Sequence, residues 1–114
     1  MFRNCTSLKT TPELPATTLV DSCYSSMFKG CTSLTTSPTL PATTLAEYCY
    51  YNMFMGCTSL NYIKCLATNT SERNCTKDWV SGVASTGIFV KNPNMNGWAT
   101  GTSGIPDGWT IIDA

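Results

Sequence analysis

An octet that occurs three times at constant spacing is the feature that most limits the possible folds of this chain. It reads MFRNCTSL at residues 1–8, MFKGCTSL at 27–34 and MFMGCTSL at 53–60, so each copy begins 26 residues after the one before it. The run LPATTL, at 14–19 and 40–45, keeps the same step. A fixed period of this length is typical of stacked repeats, in which each unit buries its apolar face only against its neighbours. The 114 residues are therefore expected to form one domain with a narrow, elongated core.

The second unit indicates what one repeat contains. Residues 34–40 predict a short extended segment, interrupted by Pro38. Thr44 and Glu47 have the spacing of a capping box, which predicts the start of a helix. Apolar residues then follow four positions apart and would form one helical stripe: Leu45, Cys49, Met53 and Cys57. A left-handed residue is expected where each helix ends, at Gly30, Gly56 and, in the first unit, Asn4.

Fading of the repeat along the chain predicts the domain boundaries. Residues 1–91 are predicted to be the repeat array and residues 92–114 a C-terminal cap with a short strand from Trp109 to Ile112. Met1 falls on the Met position of the repeat, with no polar cap before it, so we expect a fragment of a longer protein. The array divides into coils 1–26, 27–52 and 53–78 and a half-coil 79–91.

The repeated units, such as MFKGCTSLTTSPTLPATTLAEYCYYN, resemble the BspA-like, or Treponema-type, leucine-rich repeats of bacterial surface proteins. In that family Cys-x-x-Leu precedes the strand and Leu-Pro follows it. The resemblance covers residues 1–91 and implies an α/β fold, a right-handed leucine-rich-repeat solenoid of about three 26-residue coils with a C-terminal β-containing cap. It also implies a binding or adhesion role at the surface of a bacterium of Bacteroides type, or in a secreted protein.

Charge and hydropathy argue against two classes of partner. Seven basic residues balance seven acidic ones and only 12% of the chain is charged, so nothing indicates a nucleic-acid partner. No apolar run approaches the ~20 residues that a membrane span needs. The first residues also lack the pattern of a signal peptide.

The seven cysteines do not form a metal or catalytic motif. Six fall in two columns of the repeat, and Cys65 stands outside both. Buried free thiols are favoured over structural disulfides, which stay open as the alternative, because stacked thiols point in parallel and the count is odd. The chain has no Cys-x-x-Cys and no His, which removes the usual zinc ligands and the usual base for a nucleophile. Since the carboxylates form no local pair either, we expect no enzyme activity and no cofactor.

Two surfaces are candidates for ligand binding. The first is the exposed face of the predicted sheet and the second is a cluster of tyrosines, which are enriched at interfaces. The same tyrosines could instead pack between coils. The candidate residues are Lys9, Thr11, Glu13, Thr35, Ser37, Thr39, Asn61 and Ile63 on the sheet face, and Tyr48 and Tyr51 on the surface of the predicted helix.

The predicted function is a non-enzymatic binding or adhesion module, extracellular or at the cell surface, that recognises a protein or a glycan through the repeat surface. The alternative is a structural spacer or capping segment in a larger surface or phage-tail protein. Self-association is expected through the uncapped first coil, where Met1 and Phe2 stand at an open end.

Overall fold

The computed structural model of the chain describes residues 2–11, 13–14 and 17–114, and these build one four-stranded sheet. Its strands lie side by side in chain order and every neighbouring pair is parallel. Parallel neighbours need a long connection between them, so each strand is followed by the remainder of a unit before the next strand begins. The strands are β1 (Thr36–Leu40), β2 (Tyr62–Cys65), β3 (Ile88–Lys91) and β4 (Thr110–Asp113).

The 26-residue period sets the register of the sheet as far as β3. Thr36 pairs with Tyr62, and Tyr62 pairs with Ile88. Ile88 then pairs with Thr110, so the last connection is shorter than the period. The strand predicted near Trp109 therefore exists and continues the same sheet.

The predicted helices are wrong: the described part of the chain contains none. An α-helix needs negative φ at every residue. Here φ is positive at every fourth residue of the segment that each helix was expected to occupy. The left-handed residues are Ser22, Ser26 and Gly30, then Tyr48, Asn52 and Gly56, then Asn74, Asp78 and Gly82. The helix-plus-sheet leucine-rich-repeat solenoid of three coils is therefore wrong as a fold class, and a four-stranded parallel sheet connected by turns replaces it.

The segments between strands are successive turns held by two alternating kinds of hydrogen bond. The Cys49 amide donates to the Ala46 carbonyl three residues back, at 3.2 Å. The next amide, of Tyr50, donates across to the Cys75 carbonyl of the following unit, at 2.8 Å. The same alternation runs through residues 22–31 and 48–57. Neighbouring units are thus joined by backbone bonds on the side opposite the sheet, which satisfies groups that would otherwise be buried without partners.

The turns explain why the sequence resembles a helix. Because the left-handed residues recur every four positions, side chains four apart return to the same side of the chain. The predicted stripe of Leu45, Cys49, Met53 and Cys57 is accordingly buried at all four positions. The predicted left-handed conformation of Asn4, Gly30 and Gly56 is confirmed. Apolar residues spaced four apart fit either a helix or these turns, and the two structures differ in the sign of φ at every fourth residue.

Stacked aromatic rings fill the core between the turns and the sheet. Phe2, Phe28 and Phe54 lie one above another, with neighbouring ring centroids 5.6 and 5.9 Å apart. In a second column Tyr50 stacks on Tyr24, Trp79 on Tyr50 and Trp98 on Trp79. The repeat of the sequence thus appears in space as columns of like side chains, each covering the next.

A bulge in β1 interrupts the regular pairing of the sheet. Thr36 pairs with Tyr62 but Thr39 pairs with Lys64, so two residues of β1, Ser37 and Pro38, stand opposite one residue of β2. The Ser37 hydroxyl accepts a hydrogen bond from the Lys64 amide at 3.2 Å and donates one to the Pro38 carbonyl at 2.8 Å. This side chain takes over part of the bonding that the ladder loses at the proline.

We predict that Ser22→Gly stabilises the protein while Asp21→Gly destabilises it. Both residues are exposed, but only Ser22 has positive φ, at 59°. Relief of a left-handed conformation is worth about 1 kcal/mol, whereas glycine elsewhere costs roughly 0.5–1 kcal/mol. Urea denaturation of both variants measures the signs. A helix over this segment would make both substitutions destabilising. Two decreases of similar size in the free energy of unfolding would therefore contradict the turn structure.

Candidate functional site

Two residues predicted for the outer face of the sheet are buried instead. Ile63 was expected to point outward but is completely buried, and Ser37 is 7% exposed. In β1 the bulge leaves Ser37 and Pro38 both buried, so the alternation of that strand is interrupted there. In the second segment Asn61 and Tyr62 both reach the surface, and the regular register of β2 with β3 then places Ile63 inside. The assignment of Ile63 and Ser37 to the outer face is therefore wrong.

The other predicted sheet residues lie at the surface. Lys9, Glu13, Thr35, Thr39 and Asn61 are exposed. Thr11 is half-buried. The prediction of these positions as surface residues agrees with the structure, although they do not all share one site.

The outer face of the sheet includes Tyr62 and Lys64, which the alternation in the sequence left on the inner face, together with residues of β3 and β4. Tyr62 pairs with Ile88 in one row, and the next row runs from Lys64 through the buried Val90 to Ile112. Ile88 is 40% exposed and Ile112 46%, while Tyr62 and Lys64 are half-buried. We call these four residues the sheet patch. The sequence signal that could have revealed this face is Tyr62-Ile63-Lys64. Of the two possible alternations along this segment, only one buries the isoleucine and exposes the lysine.

A groove lies at the β1 edge of the sheet, beside the outer face. It has a volume of about 320 Å³ and lies between the first unit, at Thr10, Thr11, Glu13 and Leu14, and β1 of the second. Four of the predicted binding residues line it, namely Thr11, Glu13, Ser37 and Thr39. Lys9, Thr35, Asn61 and Ile63 are not among the described residues that line it. The structure thus brings together the central part of the predicted sheet-face site.

The predicted tyrosine cluster is a separate site on the turn side of the chain. Tyr48 and Tyr51 meet edge to face, with ring centroids 5.4 Å apart. The Tyr48 hydroxyl accepts a hydrogen bond from the Asn74 side-chain amide at 3.1 Å. Both tyrosines are half-buried, while Tyr24 and Tyr50 stack on each other between units. Tyr48 is already engaged in a contact between units, which leaves Tyr51 as the freer member of the pair.

Five of the seven cysteines occupy the core. All seven are free thiols, and the expected burial of both columns fails only in the first unit, where Cys5 and Cys23 are exposed. The Cys57 thiol donates to the Phe28 carbonyl at 3.0 Å, and Cys65, predicted to stand apart from the columns, is fully buried opposite Leu40. Burial raises the pKa of Cys49, Cys57 and Cys65 to about 12. These thiols are therefore protonated at neutral pH and are poor nucleophiles.

Neither a metal centre nor a membrane span was found in the described residues. Among residues 2–11, 13–14 and 17–114, no group of three or more Cys, Asp or Glu side chains could hold a metal ion. No helix of those residues is long and apolar enough to cross a bilayer. The groove and the sheet patch are the candidate binding surfaces.

We predict that a thiol reagent at pH 8 modifies two cysteines of the native protein and all seven after denaturation. Cys5 and Cys23 are exposed, whereas the other five are buried. Mass spectrometry of the alkylated protein counts the modified sites. Rapid native labelling of Cys49, Cys57 or Cys65 would contradict the buried columns.

The same burial predicts the pH dependence of stability. Above the ordinary thiol pKa of 9.0 the unfolded chain loses these protons, while Cys49, Cys57 and Cys65 in the folded chain keep theirs until about pH 12. The unfolded state is then favoured, so the free energy of unfolding falls as pH rises from 9 towards 12. Urea midpoints measured between pH 7 and pH 10.5 test this, and Cys65→Ala should reduce the slope.

No protein-family model, curated protein or solved structure matches this chain. The resemblance of residues 1–91 to BspA-like repeats rests on the repeated string alone. What that resemblance implies for function therefore stands as a proposal.

Proposed function

We propose that this chain is a non-enzymatic recognition module of a bacterial cell-surface or secreted protein, and that it binds a protein or a glycan through the outer side of its sheet. The sheet patch is the observation that carries the proposal. The resemblance to repeats of bacterial surface proteins supports the setting, and the polar, weakly charged surface is compatible with it.

The sheet patch has the composition of a small contact surface. Tyr62 and Lys64 lie on β2, Ile88 lies beside Tyr62 on β3, and Ile112 lies on β4, separated from Lys64 by the buried Val90. The two isoleucines are 40% and 46% exposed. Complete burial of an aliphatic side chain contributes about 1.5–3 kcal/mol, so covering the exposed parts of Ile88 and Ile112 would contribute a fraction of that each. Tyrosine adds contact area at low entropic cost, and a lysine at the rim favours a partner with negative charge. Side chains held by strands also lose little freedom on binding.

The alternative function is a spacer, and one observation favours it. Backbone hydrogen bonds join each unit to the next along the whole turn side, from the Phe2 amide to the Ser81 carbonyl. Such a continuous ladder resists bending and would hold neighbouring domains at a fixed separation. A spacer needs no ligand, so the two functions differ in whether the sheet patch binds anything.

We predict that an Ile88→Ser, Ile112→Ser double variant loses binding to a surface partner by tenfold or more. The test is a biosensor screen of the chain against purified extracellular-matrix proteins and mucins, followed by titration of each saturable binder. Tenfold corresponds to about 1.4 kcal/mol, which lies within the range expected for losing the contacts of both exposed isoleucines. Ile111→Ser is the matched control, because Ile111 is a similarly exposed isoleucine of β4 that pairs with the buried Phe89 and lies on the opposite face from Ile112.

Saturable binding that is lost in the double variant and kept in the control would support recognition. The absence of a saturable binder in the whole panel, or equal losses in both variants, would count against it. In that case the spacer is the better account.

We also propose self-association through the first unit. Phe2 ends one aromatic column and Val20, 69% exposed, lies in the same unit; Met1, predicted to share this end, lies outside the described residues. Because covering these side chains removes apolar surface from water, we predict a concentration-dependent rise in mass by light scattering. Val20→Asp should abolish the rise, and Ile111→Asp at the opposite end of the sheet should not. A constant monomer mass up to millimolar concentration would contradict the proposal.

A further inference from the structure

The groove beside β1 lies where a fifth strand would pair if the first unit followed the repeat. At the 26-residue step, Thr10 corresponds to Thr36 and Leu14 to Leu40. The first and second units are joined by backbone bonds on the turn side, for example from the Tyr24 amide to the Cys49 carbonyl at 3.0 Å. On the sheet side β1 is instead the edge strand of the described sheet, and the groove of about 320 Å³ lies between it and Thr10, Thr11, Glu13 and Leu14.

Proline explains why the sheet stops here. The two corresponding segments read TTPEL and TSPTL, so each has a proline at its centre. A proline has no amide hydrogen to donate to a ladder and is confined to edge strands or bulges. β1 therefore tolerates Pro38 only with the bulge and an open edge. The open edge along which the groove lies is therefore consistent with Pro38 in β1.

The lining of the groove combines hydrogen-bonding side chains with an apolar surface. Thr10, Thr11, Thr36 and Thr39 supply hydroxyl groups. Glu13, an exposed residue, supplies one carboxylate, and no Lys or Arg is among the described residues that line the groove. Leu14, Pro38 and Pro41 complete the lining with apolar atoms.

From this lining we propose that the groove binds a neutral sugar of one or two residues, an assignment that rests on the proposed binding function and specifies a ligand for it. Sugar hydroxyls can donate to the Glu13 carboxylate and exchange hydrogen bonds with Thr11 and Thr39. The C–H face of a pyranose ring can lie on the prolines. The volume is at the lower end of the range for small-molecule sites, which fits a short saccharide.

Two other ligand classes fit less well. An extended peptide that adds to a sheet edge relies on regular backbone donors and acceptors, and the edge of β1 is broken by Pro38 and a bulge. An anionic ligand would meet the Glu13 carboxylate with no cation among the described lining residues. A neutral sugar needs neither a regular strand edge nor a cation.

The test is a titration of the ¹⁵N-labelled protein with maltose, lactose, cellobiose and N,N′-diacetylchitobiose, followed by two-dimensional NMR. At least one should shift the amide signals of Thr11, Glu13 and Thr39 saturably. Glu13→Gln and Thr39→Val should each raise the Kd of that disaccharide about fivefold or more, as expected for the loss of a hydrogen bond. Glu72→Gln and Thr110→Val, at exposed positions outside the groove, should leave the Kd unchanged.

The absence of a saturable shift with all four disaccharides would overturn the proposal, as would equal weakening by the control variants. Groove signals that respond only to a Thr/Val-rich octapeptide would replace the sugar with an added strand. The Ile88→Ser, Ile112→Ser variant separates this proposal from recognition by the sheet patch, because it should bind the disaccharide normally. Failure of the sugar titration alone therefore leaves the sheet patch as the binding surface.

Discussion

Alternation of the backbone amides between two partners is the constraint on which the rest of this structure depends. One amide closes a turn within its own unit and the next reaches the carbonyl of the following unit, as Cys49 and Tyr50 do. This pattern requires a left-handed residue at every fourth position, and the chain supplies Tyr48, Asn52 and Gly56 there. Since each unit is joined to the next by many such bonds, the spacing of the units is set by the backbone, and side chains stack on the spacing so defined.

The stacked core follows from that spacing. Residues one period apart lie directly above one another, so Phe28 covers Phe2 and Phe54 covers Phe28. Trp79 links the array to the C-terminal segment, since its ring stacks on Trp98 and its indole N–H donates to the Gly104 carbonyl at 2.8 Å. Thiols fill the smaller spaces, where burial keeps them protonated and unreactive. The core is therefore a set of columns and contains no reactive chemistry in the described residues.

Local strand geometry creates the surfaces that could bind a ligand. The bulge leaves Ser37 and Pro38 opposite one residue of β2, and the regular register of β2 with β3 places Tyr62 and Lys64 outside. Pro38 has no amide hydrogen to donate and suits β1 to the edge of the sheet, along which the groove opens towards Glu13. The groove therefore lies where strand pairing is irregular, and the sheet patch lies where it is regular.

The 26-residue period, the buried side chains at Leu45, Cys49 and Met53 and the left-handed glycines could all be predicted from sequence, because each depends on spacing or on a local backbone preference. The choice between a helix and successive turns could not be predicted, because both structures return every fourth side chain to the same side. Strict alternation placed Ile63 outside, although the sequence Tyr62-Ile63-Lys64 favours the opposite assignment. In the structure Asn61 and Tyr62 both reach the surface, and only the pairing between strands shows at which residue the alternation begins. Local spacing therefore determined the repeat and its core, whereas hydrogen bonds between units decided the backbone conformation and the face each strand presents to solvent.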